Sequence, residues 1–137
     1  MDEELKQKLI DKIENDDFGE EDLADFLNLF CQMANEVDDI QDEISGDFEN
    51  KTLQFYIPGF KDFILRIVDK KFTIEDGVTD QWDSSIKTNS DNFAKLMTGK
   101  KDGNSLYMAG ELEGHGGLPN IIRFQKVLQI ILEELDV

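Results

Sequence analysis

Few side chains in this 137-residue chain could do covalent or acid–base chemistry, and none is arranged for it. The single histidine, His115, sits among glycines in Gly114-His115-Gly116-Gly117, where an imidazole reads as polar surface. The single cysteine, Cys31, lies beside an apolar helical stripe and reads as a small core residue. No serine has an activating context, and the G-x-S-x-G elbow is absent. The 31 acidic residues are too many to single out a general acid–base pair. Neither Asp38-Asp39 nor Asp76-Gly77 makes the D-x-D-x-D-G calcium loop, and a metal site needs several clustered ligands. The chain is therefore read as a non-enzyme, with no metal and no cofactor.

The chemistry that remains is the burial of apolar surface, and it concentrates between Ser90 and Leu135. Phe93, Leu96 and Met97 fall at i, i+3 and i+4 of a helix over Ser90–Met97, with Ser90 as the expected N-cap and Gly99 as the stop. Leu106-Tyr107-Met108 follow, then a glycine-punctuated strand over Gly110–Gly117. Wound at about 100° per residue, the last helix (Leu118–Leu135) places Leu118, Ile121, Ile122, Phe124, Leu128, Ile131, Leu132 and Leu135 in an arc of roughly 180°, with Val127 and Ile130 outside it. An ordinary amphipathic helix needs little more than a stripe of about 100°. The surplus must meet a second packing layer, a partner subunit or a bound lipid.

The elements upstream must supply a sheet and its cover. Asp2–Asn15 reads as a helix with Leu5, Leu9 and Ile13 along one side. From Glu20 to Val37, Leu23, Phe26, Leu27, Phe30, Met33, Ala34 and Val37 make one stripe, and a short turn over Asp39–Ile44 follows. At Asn50 the period changes to two. Leu53, Phe55 and Ile57 alternate with Thr52, Gln54 and Tyr56, and Pro58-Gly59 turns the chain into Phe63, Leu65 and Ile67. Strands through Phe72 and Ile74 and over Trp82–Thr88 complete an expected antiparallel meander, because short connections do not make parallel crossovers.

Composition bounds the class. Hydrophobic residues make up 39% and charged residues 33%, a globular balance for one domain. The net charge of −17 is uneven, since residues 1–49 hold 18 acids against 3 lysines. That acidic helical segment is a solubilising face or a docking face for a protein partner. Nucleic acid is disfavoured, for no basic stripe exists to neutralise phosphates. One cysteine excludes an internal disulfide framework. No basic-then-apolar leader opens the chain, and no apolar run approaches the roughly 18–20 residues of a membrane span. The expectation is a cytoplasmic protein.

The runs Ser84-Ser85-Ile86-Lys87-Thr88, Asp91-Asn92-Phe93-Ala94-Lys95-Leu96-Met97-Thr98-Gly99-Lys100 and Met108-Ala109-Gly110-Glu111-Leu112-Glu113-Gly114 together resemble the sterol carrier protein type 2 family. Its members show a strand, a "D-F-x-x-L-x-x-G-K" helix, a short segment, a "G-K-L-x-x-x-G" strand and an apolar terminal helix. Here an extra Asn92 separates Asp91 from Phe93. The resemblance covers residues 48–135 and leaves 1–47 as the acidic helical segment. It implies a non-enzymatic α/β (α+β) fold, a single curved, mostly antiparallel five-stranded sheet covered by N- and C-terminal helices and enclosing an apolar tunnel. It also implies a lipid ligand, namely a fatty acid, fatty acyl-CoA, sterol or similar apolar molecule, and transient membrane contact. The alternative is an acidic interaction module or an accessory subunit of a lipid-modifying enzyme.

On this reading the tunnel lining comprises Phe93, Leu96, Met97, Leu106, Met108, Ile121, Phe124, Val127, Leu128 and Ile131. Each buried methylene would contribute about 0.8 kcal/mol, and thioethers such as Met97 and Met108 suit an adaptable wall. Glu111 and Glu113 stand where the family often carries lysines, which argues against an anionic headgroup there. Lys95, Lys100 and Lys101 form the candidate headgroup mouth, opposed on the sequence only by Asp91.

Overall fold

The period-two stretch folds as strands. In a computed structural model, which describes residues 2–137, β1 (Lys51–Tyr56), β2 (Phe63–Val68) and β3 (Lys71–Asp76) form two antiparallel hairpins. The β2–β3 connection is the pair Asp69-Lys70, with φ of +49° and +69°. Two successive left-handed residues give the mirror-image turn that matches strand twist.

β4 (Ser84–Lys87) departs from the expected meander. It pairs parallel with β1, placing Ser84 beside Leu53 and Lys87 beside Tyr56, and the sheet order is β3-β2-β1-β4-β5. Residues 77–83 achieve the crossover without a helix, as a strap over the sheet face that carries Gln54. The fully buried Gln54 pins it. Its Nε2 donates to the carbonyls of Phe63 at 3.1 Å and Gly77 at 3.0 Å, while Oε1 accepts the Thr79 N–H at 2.8 Å. Asp83 then closes on Thr52, accepting its N–H at 2.7 Å and donating its own N–H to the Thr52 carbonyl at 2.8 Å. Side-chain hydrogen bonds do here what a crossover helix does elsewhere.

The helices are α1 (Glu3–Glu14), α2 (Leu23–Glu36), α3 (Asp38–Glu43), α4 (Ser90–Met97), α5 (Gly103–Met108) and α6 (Leu118–Leu135). A single turn of 3-10 helix, Glu20–Asp22, opens the expected second helix. Buried Asp22 fixes that turn by accepting from Lys12 Nζ at 3.2 Å and from Gly19 N at 3.1 Å. Asn89 rather than Ser90 caps α4, its Oδ1 accepting the Asn92 N–H at 2.8 Å. The expected strand over Gly110–Gly117 shrinks to β5 (Glu113–Gly116), paired antiparallel with β4, and Leu106-Tyr107-Met108 belong to α5.

The core lies between the sheet face bearing Leu53, Phe55 and Leu65 and the helices above it. Phe55 meets Phe93 of α4 at 5.3 Å and Phe124 of α6 at 5.2 Å between ring centroids, and Phe124 in turn meets Phe30 of α2 at 5.4 Å. Such ring pairs add about 0.5–1.5 kcal/mol each beyond area burial. α6 is therefore packed from two sides, by the sheet and by α2 and α3. This explains why Val127, placed outside the apolar arc by the helical projection, is wholly buried. Arg123 fastens α6 to α3, donating to the Glu43 carbonyl and pairing with Asp47 at 3.3 Å. A second packing layer thus takes up most of the arc, and Leu118 and Ile122 stay exposed at its N-terminal end.

Candidate ligand-binding groove

The structure gathers most of the expected lining into packed interior. Phe93, Met97, Phe124, Val127 and Ile131 are wholly buried, and Leu96, Leu106, Ile121 and Leu128 nearly so. They pack on one another and on Phe55. Met108 is set apart, 85% exposed at the end of α5.

Open apolar space lies instead at the β5 edge of the sheet. A groove of about 390 Å³ runs between α5, β5 and the first turns of α6, lined by Tyr107, Leu112, Gly114, Gly116, Leu118, Ile121 and Gln125 among others. Its composition follows from local structure. β5 is a short edge strand with glycine at 114 and 116, and the Ile121 side chain of α6 packs directly against Gly114. Gly116 has φ +87°, and a Cβ there would collide with the Asp83 backbone. Only glycine fits so close a strand approach. Asn120 and Ser84 hold the helix start over this edge, Asn120 Nδ2 donating to Ser84 Oγ at 3.0 Å and Ser84 Oγ to the Gly117 carbonyl at 2.8 Å.

Large apolar side chains left in solvent cluster round the same groove. Tyr107 and Leu118, each 63% exposed, line it, and their chain neighbours on α5 and α6 include the exposed Met108 (85%) and Ile122 (45%). Single exposed hydrophobes are ordinary, whereas several around one concave site mark a contact surface. Of the residues expected in the lining, Ile121 borders this groove and Met108 does not, while Tyr107, Leu112, Leu118 and Gln125 border it without having been expected there. The available signal was Gly114, whose missing side chain lets Ile121 of α6 come close to β5.

A second groove of about 310 Å³ continues along α6, lined by Leu96, Lys101, Gly103, Gln125, Leu128 and Leu132 among others. Gln125 and Gly103 belong to both grooves. The Gln125 amide lies against Gly103, where a Cβ would strike it.

The three lysines do not converge. Lys101 reaches the second groove, within 3.3 Å of Asn92 Oδ1 and 3.7 Å of Glu111. Lys95 and Lys100 lie across α4 in a cleft facing the loop at residues 16–20, paired with Asp91 and Asp16 respectively. Cys31 is buried, and burial pushes its thiol up to about 12. Among the described residues no cluster of His, Cys, Asp and Glu could hold a metal ion, and no helix is long and apolar enough to cross a membrane.

The family model described as the SCP-2 sterol transfer family matches residues 27–129. The fold is shared with several solved structures. A UbiJ-SCP2 ubiquinone synthesis protein superposes with a TM-score of 0.63 at 17% identity, over 78% of this chain and 88% of that one. The inverting sec-alkylsulfatase Pisa1 from Pseudomonas sp. gives 0.63 at 16% identity, over 75% of this chain and 16% of that one. Apo sterol carrier protein 2 from Yarrowia lipolytica gives 0.56 at 19% identity, over 75% and 86%. No curated protein matches the sequence.

Proposed function

The chain belongs to the SCP-2 sterol transfer family, and from that premise we propose that it is a non-enzymatic lipid-binding protein of the cytoplasm. Its ligand is an apolar chain seated between α5, β5 and α6. One observation carries the reading: the groove beside Gly114 and Gly116 is lined by two large apolar side chains left in solvent, Tyr107 and Leu118, together with Leu112 and Ile121. An alkyl chain lying there would cover those side chains and the groove floor at once. Each methylene so buried contributes about 0.8 kcal/mol, so a fatty acyl tail binds without any charged contact. The rest of the expected lining, Phe93, Leu96, Met97, Leu106, Phe124, Val127, Leu128 and Ile131, forms the wall that a tail would enter by side-chain rearrangement. Lys101 is the cation placed to meet a carboxylate or phosphate head; Lys95 and Lys100 would serve only a ligand reaching round α4. The exposed rim is also the surface that would touch a membrane during loading.

The test is native mass spectrometry of the protein purified from cells, followed by lipid extraction. The expected result is a bound species of fatty acyl or sterol mass, reduced at least tenfold in Ile121→Trp, which fills the groove. A protein that carries no lipid and binds no fluorescent fatty acid would overturn the reading.

A second reading is favoured by the charge distribution. The acids of residues 1–49 lie on α1, the 3-10 turn, α2 and α3 and the loops between them, far in excess of the three lysines there. Such a face suits a basic protein partner, with the domain presenting its lipid to an enzyme. A tenfold loss of partner binding between low and physiological salt is its expected signature.

A further inference from the structure

The sheet's other face carries a second cleft, of about 440 Å³. Alternation along β5 puts Glu113 and His115 on this side and the groove glycines on the opposite one. Trp82 of the strap and Tyr56 at the end of β1 line the cleft, with Asp62, Ser85, Lys87 and the two β5 residues. Strand register arranges them in rows. Ser85 stands beside His115, and Lys87 stands between Tyr56 and Glu113. The rows are about 6.6 Å apart, two residues along a strand.

These polar groups lack partners. Ser85 is only 2% exposed, yet its hydroxyl makes no hydrogen bond among the described residues and borders the cleft. The side chains of Lys87, Glu113 and His115 likewise have no hydrogen bond or ion pair among the described residues. Asp62 commits one oxygen, accepting the Ile57 N–H at 2.9 Å, and the other is free to accept. No buried side-chain polar atom is left without a partner among the described residues, so the Ser85 oxygen is reached from the cleft and is open to water or a ligand there.

The residue types say which ligand. A tryptophan and a tyrosine beside two carboxylates suit an alkylammonium, by cation–π attraction and charge. Lys87 and the Ser85 hydroxyl are donors and suit an oxyanion. A pure cation would meet Lys87, and a pure anion would meet Asp62 and Glu113. We propose that this cleft is a second ligand site, for a small zwitterion joining an alkylammonium to an oxyanion, free in solution or as a lipid head group.

The experiment is calorimetric titration of the full chain with phosphocholine. Saturable binding is expected, weakened tenfold or more in Trp82→Leu, Lys87→Gln and Glu113→Gln, and unchanged in Ile121→Trp. The last variant separates this site from the groove, so either can fail alone. Lys87 and Glu113 are exposed, so Lys87→Gln and Glu113→Gln are expected to leave the circular dichroism spectrum unchanged. Phosphatidylcholine vesicles identify the source: sedimentation with them, lost in Trp82→Leu, supports the head group, whereas phosphocholine binding without sedimentation supports a free solute. Absence of saturable binding overturns the proposal. So does tetramethylammonium or inorganic phosphate binding as tightly as phosphocholine, or wild-type affinity in all three cleft variants.

Discussion

The Gln125 amide rests on Gly103, and this contact divides the space along α6 into two grooves. Gly103 has no side chain to push the amide away, and no hydrogen bond holds the Gln125 side chain among the described residues. The divider is thus a flexible group on a small platform. Gln125→Ala should join the grooves and favour longer chains. Burying two further methylenes, at about 0.8 kcal/mol each, already exceeds the roughly 1.4 kcal/mol of a tenfold change. Competition between an 18-carbon and a 12-carbon fatty acid checks it, with a tenfold or greater shift towards the longer ligand expected. An unchanged ratio would show that the divider does not limit chain length.

Gly116 offers a sharper test of the β5 edge. Its left-handed φ costs a substituted residue about 1–2 kcal/mol, and the new Cβ meets rigid backbone at Asp83 and Ser84. Gly110, with φ +75° and open space around it, carries only the first of these terms. Gly116→Ala should therefore lower the urea midpoint well beyond Gly110→Ala. Equal losses would mean that β5 yields by moving off β4.

Gln54→Leu removes the pin of the strap. It leaves the Gly77 and Phe63 carbonyls and the Thr79 N–H without their partner, at about 1–3 kcal/mol for each group that water cannot reach. A loss of roughly 2–4 kcal/mol by urea unfolding is expected. Trp82 emission should also shift red as the strap loosens. A variant as stable as wild type would mean that Asp83 alone holds the crossover.

Stability should fall as pH rises above about 9. Burial raises the Cys31 thiol from 9.0 to about 12, so the unfolded chain ionises first and gains on the folded one across that interval. Lys12 acts in the same direction. Its hydrogen bond to Asp22 raises it above 10.5, and that contribution is complete below 10.5 and lost as pH rises through the folded value. Thermal unfolding of wild type and Cys31→Ala from pH 7 to 11 tests this, the variant being expected to decline less steeply above pH 9. Fast native thiol labelling at pH 8 would contradict the buried setting of Cys31.

Local signals carried much of the architecture. The two-residue period located β1, β2 and β3, and the spacing of Phe93, Leu96 and Met97 located α4 to the residue. The C-terminal helix ends where its apolar pattern ends, at Leu135. What escaped were long-range relationships. The parallel pairing of β4 with β1 depends on Gln54 grasping residues 77–79, and a glutamine in an alternating strand looks like ordinary solvent surface. Val127 is buried because α2 and α3 arrive from a distant part of the chain. Met108 points outward because Leu106, two positions earlier on α5, takes the buried side. The groove itself depends on how α5 and α6 are set against β5, and the glycines at 114 and 116 signal close approach without saying what approaches.

The direct measurement is photo-crosslinking of the purified protein with a fatty acid bearing a diazirine near the end of its chain, followed by peptide mapping. The expected adducts fall on Tyr107, Leu112, Leu118 and Ile121, and an excess of unlabelled fatty acid abolishes them. Adducts confined to α1–α3 or to the Trp82 cleft, or labelling that unlabelled fatty acid does not displace, would contradict a lipid site between α5, β5 and α6.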